Sequence, residues 1–154
     1  MYEASEAGLW RDGTRRTDAD EMGAFITAGE IAVATIGDNV VGSVRVHDVA
    51  DDASEFGILA GDPEWRGEGI GTALIGFVEA ASRDRGIRVM QLELLVPRKF
   101  DHPSKVFLDA WYSRIGYRVI DKRTVEQAHP ELGPLLATPC DFLLYEKPLS
   151  RANS

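Results

Sequence analysis

Three glycines alternate with other residues in the run Arg66-Gly67-Glu68-Gly69-Ile70-Gly71-Thr72, between the apolar stretch Ile58-Leu59-Ala60-Gly61 and the first turns of an amphipathic helix. That order fits a phosphate cradle. The first turn of a helix leaves its amide N–H groups unpaired and carries partial positive charge, so it attracts an anion. Gly67, Gly69 and Gly71 remove side chains that would hold a diphosphate off those amides, and they permit the positive φ angles of an anion-binding nest. Arg66 adds a cation at the mouth.

Two other phosphate loops do not fit. A P-loop needs a lysine just before the Ser/Thr, and here Gly71 precedes Thr72. A dinucleotide fingerprint needs glycine at its first, third and sixth positions; counted from Gly67, the sixth is Thr72. On spacing alone, a tight strand-to-helix turn with incidental glycines is the alternative.

The run from Arg66 to Gly71, preceded by Asp62-Pro63-Glu64-Trp65, resembles the acyl-CoA-binding motif Q/R-x-x-G-x-G/A of the GNAT superfamily of N-acyltransferases. Downstream, Trp111-Tyr112-Ser113-Arg114-Ile115-Gly116-Tyr117 is similar to the superfamily's aromatic-Tyr-x-x-x-Gly-aromatic segment. The resemblance covers residues 31 to 147. It implies acetyl-CoA as acyl donor, with no metal, and a pantetheine arm pairing its amides with the backbone of Leu59, Ala60 and Gly61, where the strands holding Phe56 to Ala60 and Val89 to Val96 splay apart.

Acyl transfer from a thioester to an amine needs a neutral amine, a stabilised oxyanion and a destination for the thiolate. The resemblance implies Tyr112 as the group facing the thiolate; helix-end packing beside Trp111 is its alternative. It implies Glu55 as the acceptor of the amine proton, with Asp51, Asp52, His47 and His129 as other candidates. The oxyanion donor is expected at the amide of Leu59 or Ala60. Where many members carry an asparagine, seven residues before the tyrosine, this chain has Lys105; a phosphate contact and a solvated surface lysine are both open to it.

The rest of the chain must position these groups. At 154 residues, 44% hydrophobic and 27% charged, it reads as one ordinary globular domain. No apolar stretch approaches the roughly 18 residues that span a bilayer, and Met1 to Arg16 lacks a signal-peptide layout, so the expected location is cytoplasmic, with no membrane partner. The net charge of -8 argues against nucleic acid, whose phosphates would be repelled; it mildly favours cationic amines, and a solvated acidic surface that aids solubility accounts for it equally well. Cys140, the single cysteine, reads as a small buried apolar residue. A nucleophilic role would need a neighbouring base, of which His129 is nearest in sequence. The three histidines lack metal-ligand spacing.

Residues 1–16 are expected to be loosely ordered, and 17–149 to form the catalytic domain. Thr17 reads as the cap of a helix reaching Thr27, stopped by Gly29. Ile31 to Ile36 and Val40 to His47 read as a hairpin about Gly37-Asp38-Asn39, and Phe56 to Ala60 as a buried strand. Leu74, Phe77, Val78 and Ala81 mark the apolar face of the helix after the loop. With Val89 to Val96 as the next strand, the segment is a parallel βαβ unit. A helix from Asp101-His102-Pro103 to Ile115 carries Val106, Phe107, Ala110 and Trp111 on its apolar face. Tyr117 to Asp121 and Asp141 to Glu146 are closing strands, and 122 to 140 a long, partly helical connection. The expected fold is mixed α/β, a central twisted, partly parallel sheet flanked by helices, arranged as the resemblance implies. No strand-like run precedes Ala24, so the first strand usual in the superfamily is not legible.

The resulting expectation is an N-acetyltransferase moving an acetyl group from acetyl-CoA to a primary amine by direct attack in a ternary complex. The rival is a catalytically silent CoA-binding regulator. The acceptor, a small-molecule or peptide amine, is not specified, and a homodimer is open to the chain with no surface marked for it.

Overall fold

Gly37, with φ at +59°, takes the left-handed conformation that glycine adopts without penalty, and so turns β1 (Ile31–Ile36) into β2 (Asn39–Ala50). In this computed structural model, Leu9, Arg11 and residues 19–149 are described. They fall into two compact units, one holding residues 19–91 with Pro148 and Leu149, the other Leu9, Arg11 and 92–147. The fold is mixed α/β with both parallel and antiparallel strand pairs.

In the first unit α1 (Ala19–Thr27) leads into the hairpin, followed by β3 (Ala53–Gly61), α2 (Ile70–Asp84) and the start of β4 (Val89–Pro97). Neighbouring strands run β1-β2-β3-β4. β2 is antiparallel to both β1 and β3, whereas β3 and β4 are parallel, paired as Ala53↔Val89, Ser54↔Met90 and Glu55↔Gln91. The expected βαβ unit is therefore present. Among the described strands β1 pairs with β2 alone.

Val41, Val44, Phe56, Leu74, Ile75, Val78 and Met90 form the buried interior of this unit. Each such side chain contributes about 1.5–3 kcal/mol. Leu74 and Val78 thus meet the sequence expectation, but Phe77 is 65% exposed and Ala81 is also outside. Both instead line a recess of about 650 Å³ against Ile31, Val33 and Val46. The helix is rotated so that Ile75, Glu79 and Ser82 are buried in their place.

The second unit holds the remainder of β4, α3 (Pro103–Arg114), β5 (Arg118–Thr124), the short α4 (Val125–Ala128), a 3-10 segment Pro130–Leu135 and, up to Lys147, β6 (Cys140–Pro148). Its strand order is β4-β6-β5, with β5 antiparallel to β6 from Arg118↔Glu146 to Thr124↔Asp141. Leu9, Leu95, Val125, Leu136, Cys140 and Phe142 form one apolar cluster. Of the segment expected to be loose, Leu9 and Arg11 are the described residues. Both are tied down: Leu9 is fully buried, and the Arg11 amide donates to the Leu135 carbonyl at 2.8 Å. Thr17, read as a helix cap, lies outside the described residues.

The apolar face assigned to α3 is also corrected. Val106 and Phe107 are exposed, whereas Lys105 and Tyr112, seven residues apart and hence on one side of the helix, are buried. Trp111 is half-buried and Ala110 exposed. Packing of Tyr112 against Tyr117 and Tyr145 fixes the rotation, because a helix with apolar residues on several sides has no single face to bury.

Candidate functional site

Gly67 and Gly69 have φ of +87° and +76°, the left-handed region that side chains disfavour. A Cβ added at either would meet nothing within 4 Å, so open space faces the loop. Gly69 caps α2 without any side-chain hydrogen bond, and the first intrahelical bond runs from the Ala73 amide to the Gly69 carbonyl at 3.0 Å. The amides of Ile70, Gly71 and Thr72 therefore occupy the first turn, where helix geometry supplies no partner.

The approach to the loop is fixed from both ends. The Asp62 amide donates to the Val41 carbonyl at 2.8 Å, and its carboxylate accepts from the Glu64 amide at 2.9 Å, opening a 3-10 turn over Pro63–Trp65. The Glu68 amide is already bonded to the Trp65 carbonyl at 3.2 Å, which removes it from the donors expected of the run. Arg66 is exposed. Behind the loop, a Cβ on Gly42 would lie 2.6 Å from Ile70 Cγ2 and 3.0 Å from Leu74 Cδ1, so the start of α2 sits directly on β2.

The strand before the loop is irregular where the oxyanion donor was expected. Ser43 pairs with Ala60 and Arg45 with Gly57, a register shift that leaves three steps on β3 against two on β2. Within this bulge Ile58 has φ of +51°. A β-branched residue in that region is an outlier, and bulges turn local amides and side chains out of their ladder direction. Leu59 and Ala60 follow immediately, with Gly61 paired to Gly42. Sequence reading missed Ile58 altogether, since a bulge is a property of two strands in register. It also missed Gly42, although a lone glycine inside a strand pattern signals close backbone approach.

Glu55 lies within β3 rather than at its start, opposite His47 of β2. Opposed residues share a sheet face, and Glu55 Oε2 is 3.9 Å from His47 Nε2, with both side chains largely covered. Two residues along the same face, Arg45 is opposite Gly57. Its guanidinium bonds Glu30 at 2.8 Å and stacks 3.8 Å above the Phe25 ring. Asp48 and Ser54 occupy the other face by alternation, joined by a 2.7 Å bond from the Ser54 hydroxyl. The cradle residues, the Leu59–Gly61 backbone and Glu55 thus belong together to the first unit.

Tyr112 and Lys105 belong to the second unit. The Tyr112 ring packs on Trp111, Tyr145 and Tyr117 with centroids 5.2, 5.9 and 6.3 Å away. Burial pushes its phenol well above the usual tyrosine range, because the anion would lose its hydration. Beside it the Tyr145 hydroxyl donates to Asp109 at 2.5 Å. Lys105, for which a solvated surface position was one reading, is instead buried on the first turn of α3. His102 caps that helix by accepting the Ser104 amide.

His129 Nε2 lies 3.2 and 3.3 Å from the two Glu93 carboxylate oxygens, and Nδ1 lies 3.7 Å from Glu131. Cys140 is buried in the apolar cluster and donates to the Thr138 carbonyl, as a structural thiol does.

A sequence profile of the acetyltransferase (GNAT) domain matches residues 27–119, more than half of the chain. No curated protein matches. Among solved structures, an aminoglycoside 6'-N-acetyltransferase complexed with coenzyme A is 14% identical, with a TM-score of 0.70 over 92% of this chain and 85% of that one. The ribosomal-protein-S18-alanine N-acetyltransferase from Escherichia coli is 16% identical, with a TM-score of 0.65 over 97% and 88%. A GNAT family acetyltransferase from Elizabethkingia anophelis with acetyl-CoA bound is 16% identical, with a TM-score of 0.65 over 91% and 95%. At such identities the likeness is one of fold.

Proposed function

Because the chain belongs to the GNAT acetyltransferase family, we propose that it is an N-acetyltransferase that moves an acetyl group from acetyl-CoA to a primary amine by direct attack in a ternary complex. One observation carries the reading: α2 starts directly after two positive-φ glycines with open space in front of them and has no side-chain cap, so its first-turn amides have no partner within the helix. That is the surface a diphosphate requires. Solved structures of similar fold hold coenzyme A and acetyl-CoA, which supports the same ligand here.

The residue roles follow the chemistry. Amides of Gly67, Gly69, Ile70, Gly71 and Thr72, with the Arg66 guanidinium, take the phosphates, and Lys105 is assigned to a phosphate as well. The backbone of Leu59, Ala60 and Gly61 takes the pantetheine amides, and an amide at the bulge receives the thioester oxygen as charge develops on it. Glu55 accepts the proton of the incoming ammonium, since amines of pKa near 10 are mostly charged at neutral pH. The amine then attacks the thioester carbon, the C–S bond breaks, and the proton left on the acylated nitrogen passes through solvent to the departing sulfur.

Tyr112 meets the departing thiolate. Phenol and thiol reference values of about 10 and 8.5 make full proton transfer uphill by roughly 2 kcal/mol, and burial of Tyr112 widens that gap. Its hydroxyl therefore serves as a hydrogen-bond donor to the thiolate. Holding donor and acceptor together supplies much of the acceleration. The acidic surface suits a cationic small-molecule or peptide amine, and the setting is cytoplasmic.

The test is a thermal-shift series with acetyl-CoA, longer acyl-CoAs, CoA, NAD and ATP, followed by thiol release with pooled amines. Binding to the folded state raises the transition temperature by mass action. Stabilisation by acetyl-CoA with thiol release supports the enzyme; stabilisation without release, and no effect of Tyr112→Phe, would favour a silent CoA-binding protein. No stabilisation by any CoA species would overturn both.

A further inference from the structure

Glu55 shares its sheet face with one titratable side chain directly across the strand pair, His47. Resting on the acetyltransferase reading, we infer that His47 is a positioning residue for that reaction, which holds the Glu55 carboxylate and takes over the proton that Glu55 removes from the acceptor.

Three observations converge on the pair. The register places His47 and Glu55 opposite one another with no bulge between Arg45 and Asp48, so both project from one face. Their Nε2 and Oε2 atoms are 3.9 Å apart, a gap closed by a small rotation or one water, and the side chains are only 28% and 19% exposed. Two residues further along β3, a Cβ on Gly57 would meet nothing within 4 Å, which leaves room on the sheet between the pair and the Ile58 bulge. An amine lying over Gly57 has a proton acceptor on one side and the distorted backbone on the other.

The other charged groups nearby are already committed. Arg45, on the same face, is bound to Glu30. Asp48 lies on the opposite face, held by Arg85 and Ser54; its charge also acts on its chain neighbour His47, equally with and without Glu55. The proton path balances without any added reagent: the ammonium gives a proton to the Glu55 carboxylate, the carboxylic acid passes it to neutral His47, and the imidazolium releases it to water. Glu55 is then again an anion. The amine lone pair forms the C–N bond, the sulfur leaves with the electrons of the C–S bond, and the second proton lost from the nitrogen passes through solvent to that sulfur, so that CoA departs as the thiol.

The experiment is an NMR titration of the imidazole rings of the three histidines in the full chain, with His47 assigned from His47→Gln. In Glu55→Gln the His47 midpoint is expected to fall by about 0.7 pH unit or more, the coupling of unit charges some 4 Å apart even in water. The other two histidines serve as internal references. In the thiol-release assay His47→Gln is expected to move the acid limb of the rate profile while leaving the KM for acetyl-CoA within about twofold. A His47 midpoint indifferent to Glu55→Gln would overturn the inference. Absence of acetyl-CoA stabilisation in the same samples would instead overturn the acetyltransferase reading, with the coupling measured independently of it.

Discussion

Arg85, at the C-terminal end of α2, grips Asp48 of β2 with two hydrogen bonds, Nη2 to Oδ1 at 2.9 Å and Nη1 to Oδ2 at 3.3 Å. This fork, with the Ser54 hydroxyl as a third donor, joins the end of the helix to the strand pair that carries His47 and Glu55.

The Arg85 guanidinium, then the Ser54 hydroxyl, lower the Asp48 carboxyl from 3.8 to about 2. A depressed folded-state value gives stability that is complete above the unfolded pKa and is lost as pH falls through the folded one. The contribution of Asp48 is therefore expected to fade between about pH 4 and pH 2, by a modest amount because both side chains are half exposed. Thermal unfolding of Asp48→Asn across that range is the measurement: the variant should lose less stability on acidification than the parent. Parallel curves would separate the fork from acid stability.

Gly42 sets how closely α2 approaches the sheet. Its Cβ would stand 2.6 Å from Ile70 Cγ2 and 3.2 Å from the Ala60 carbonyl oxygen, so Gly42→Ala must push the first turn of α2 outwards. The expected cost is about 1–3 kcal/mol of stability, with weaker stabilisation by acetyl-CoA. Chemical denaturation with and without the ligand reads both effects.

Gly69 tests the cradle more locally. Gly69→Ala has free space around the new methyl group but holds it at a φ of +76°, at a cost of about 1–2 kcal/mol. The fold should survive, as circular dichroism would record, while the acetyl-CoA shift disappears because the methyl group enters the diphosphate space. A retained shift would place the cofactor elsewhere.

Tyr112→Phe keeps the ring against Tyr117 and Tyr145 and removes the hydroxyl. Loss of one hydrogen bond to a charged group predicts a fall in kcat of about tenfold to a hundredfold, with acetyl-CoA binding little changed. Because burial raises the Tyr112 phenol, it stays protonated throughout the working range, and the basic limb of the wild-type profile should not be lost in the variant.

Local physics made the glycine loop between β3 and α2 legible in the amino-acid order. Of the three alternating glycines, Gly67 and Gly69 take the left-handed backbone while Gly71 lies within α2, and the strand, helix and strand around them follow from short-range periodicity; β1, β4 and β6 fall within a few residues of where the pattern put them. The Trp111–Tyr117 block was legible through its resemblance to a segment of the superfamily, not through local physics.

What the tertiary structure alone decided depends on partners distant in the chain. Ile58 is strained because β2 and β3 pair out of step around it, and nothing in Gly57-Ile58-Leu59 records that register. Phe77 and Phe107 face outwards, and Lys105 inwards, because helix rotation is settled by which side chains the neighbouring strands and rings accept, not by the number of apolar residues available. The His47–Glu55 and Asp48–Arg85 contacts arise likewise from strand alternation and helix placement, which bring together groups that sequence separates by eight and thirty-seven positions.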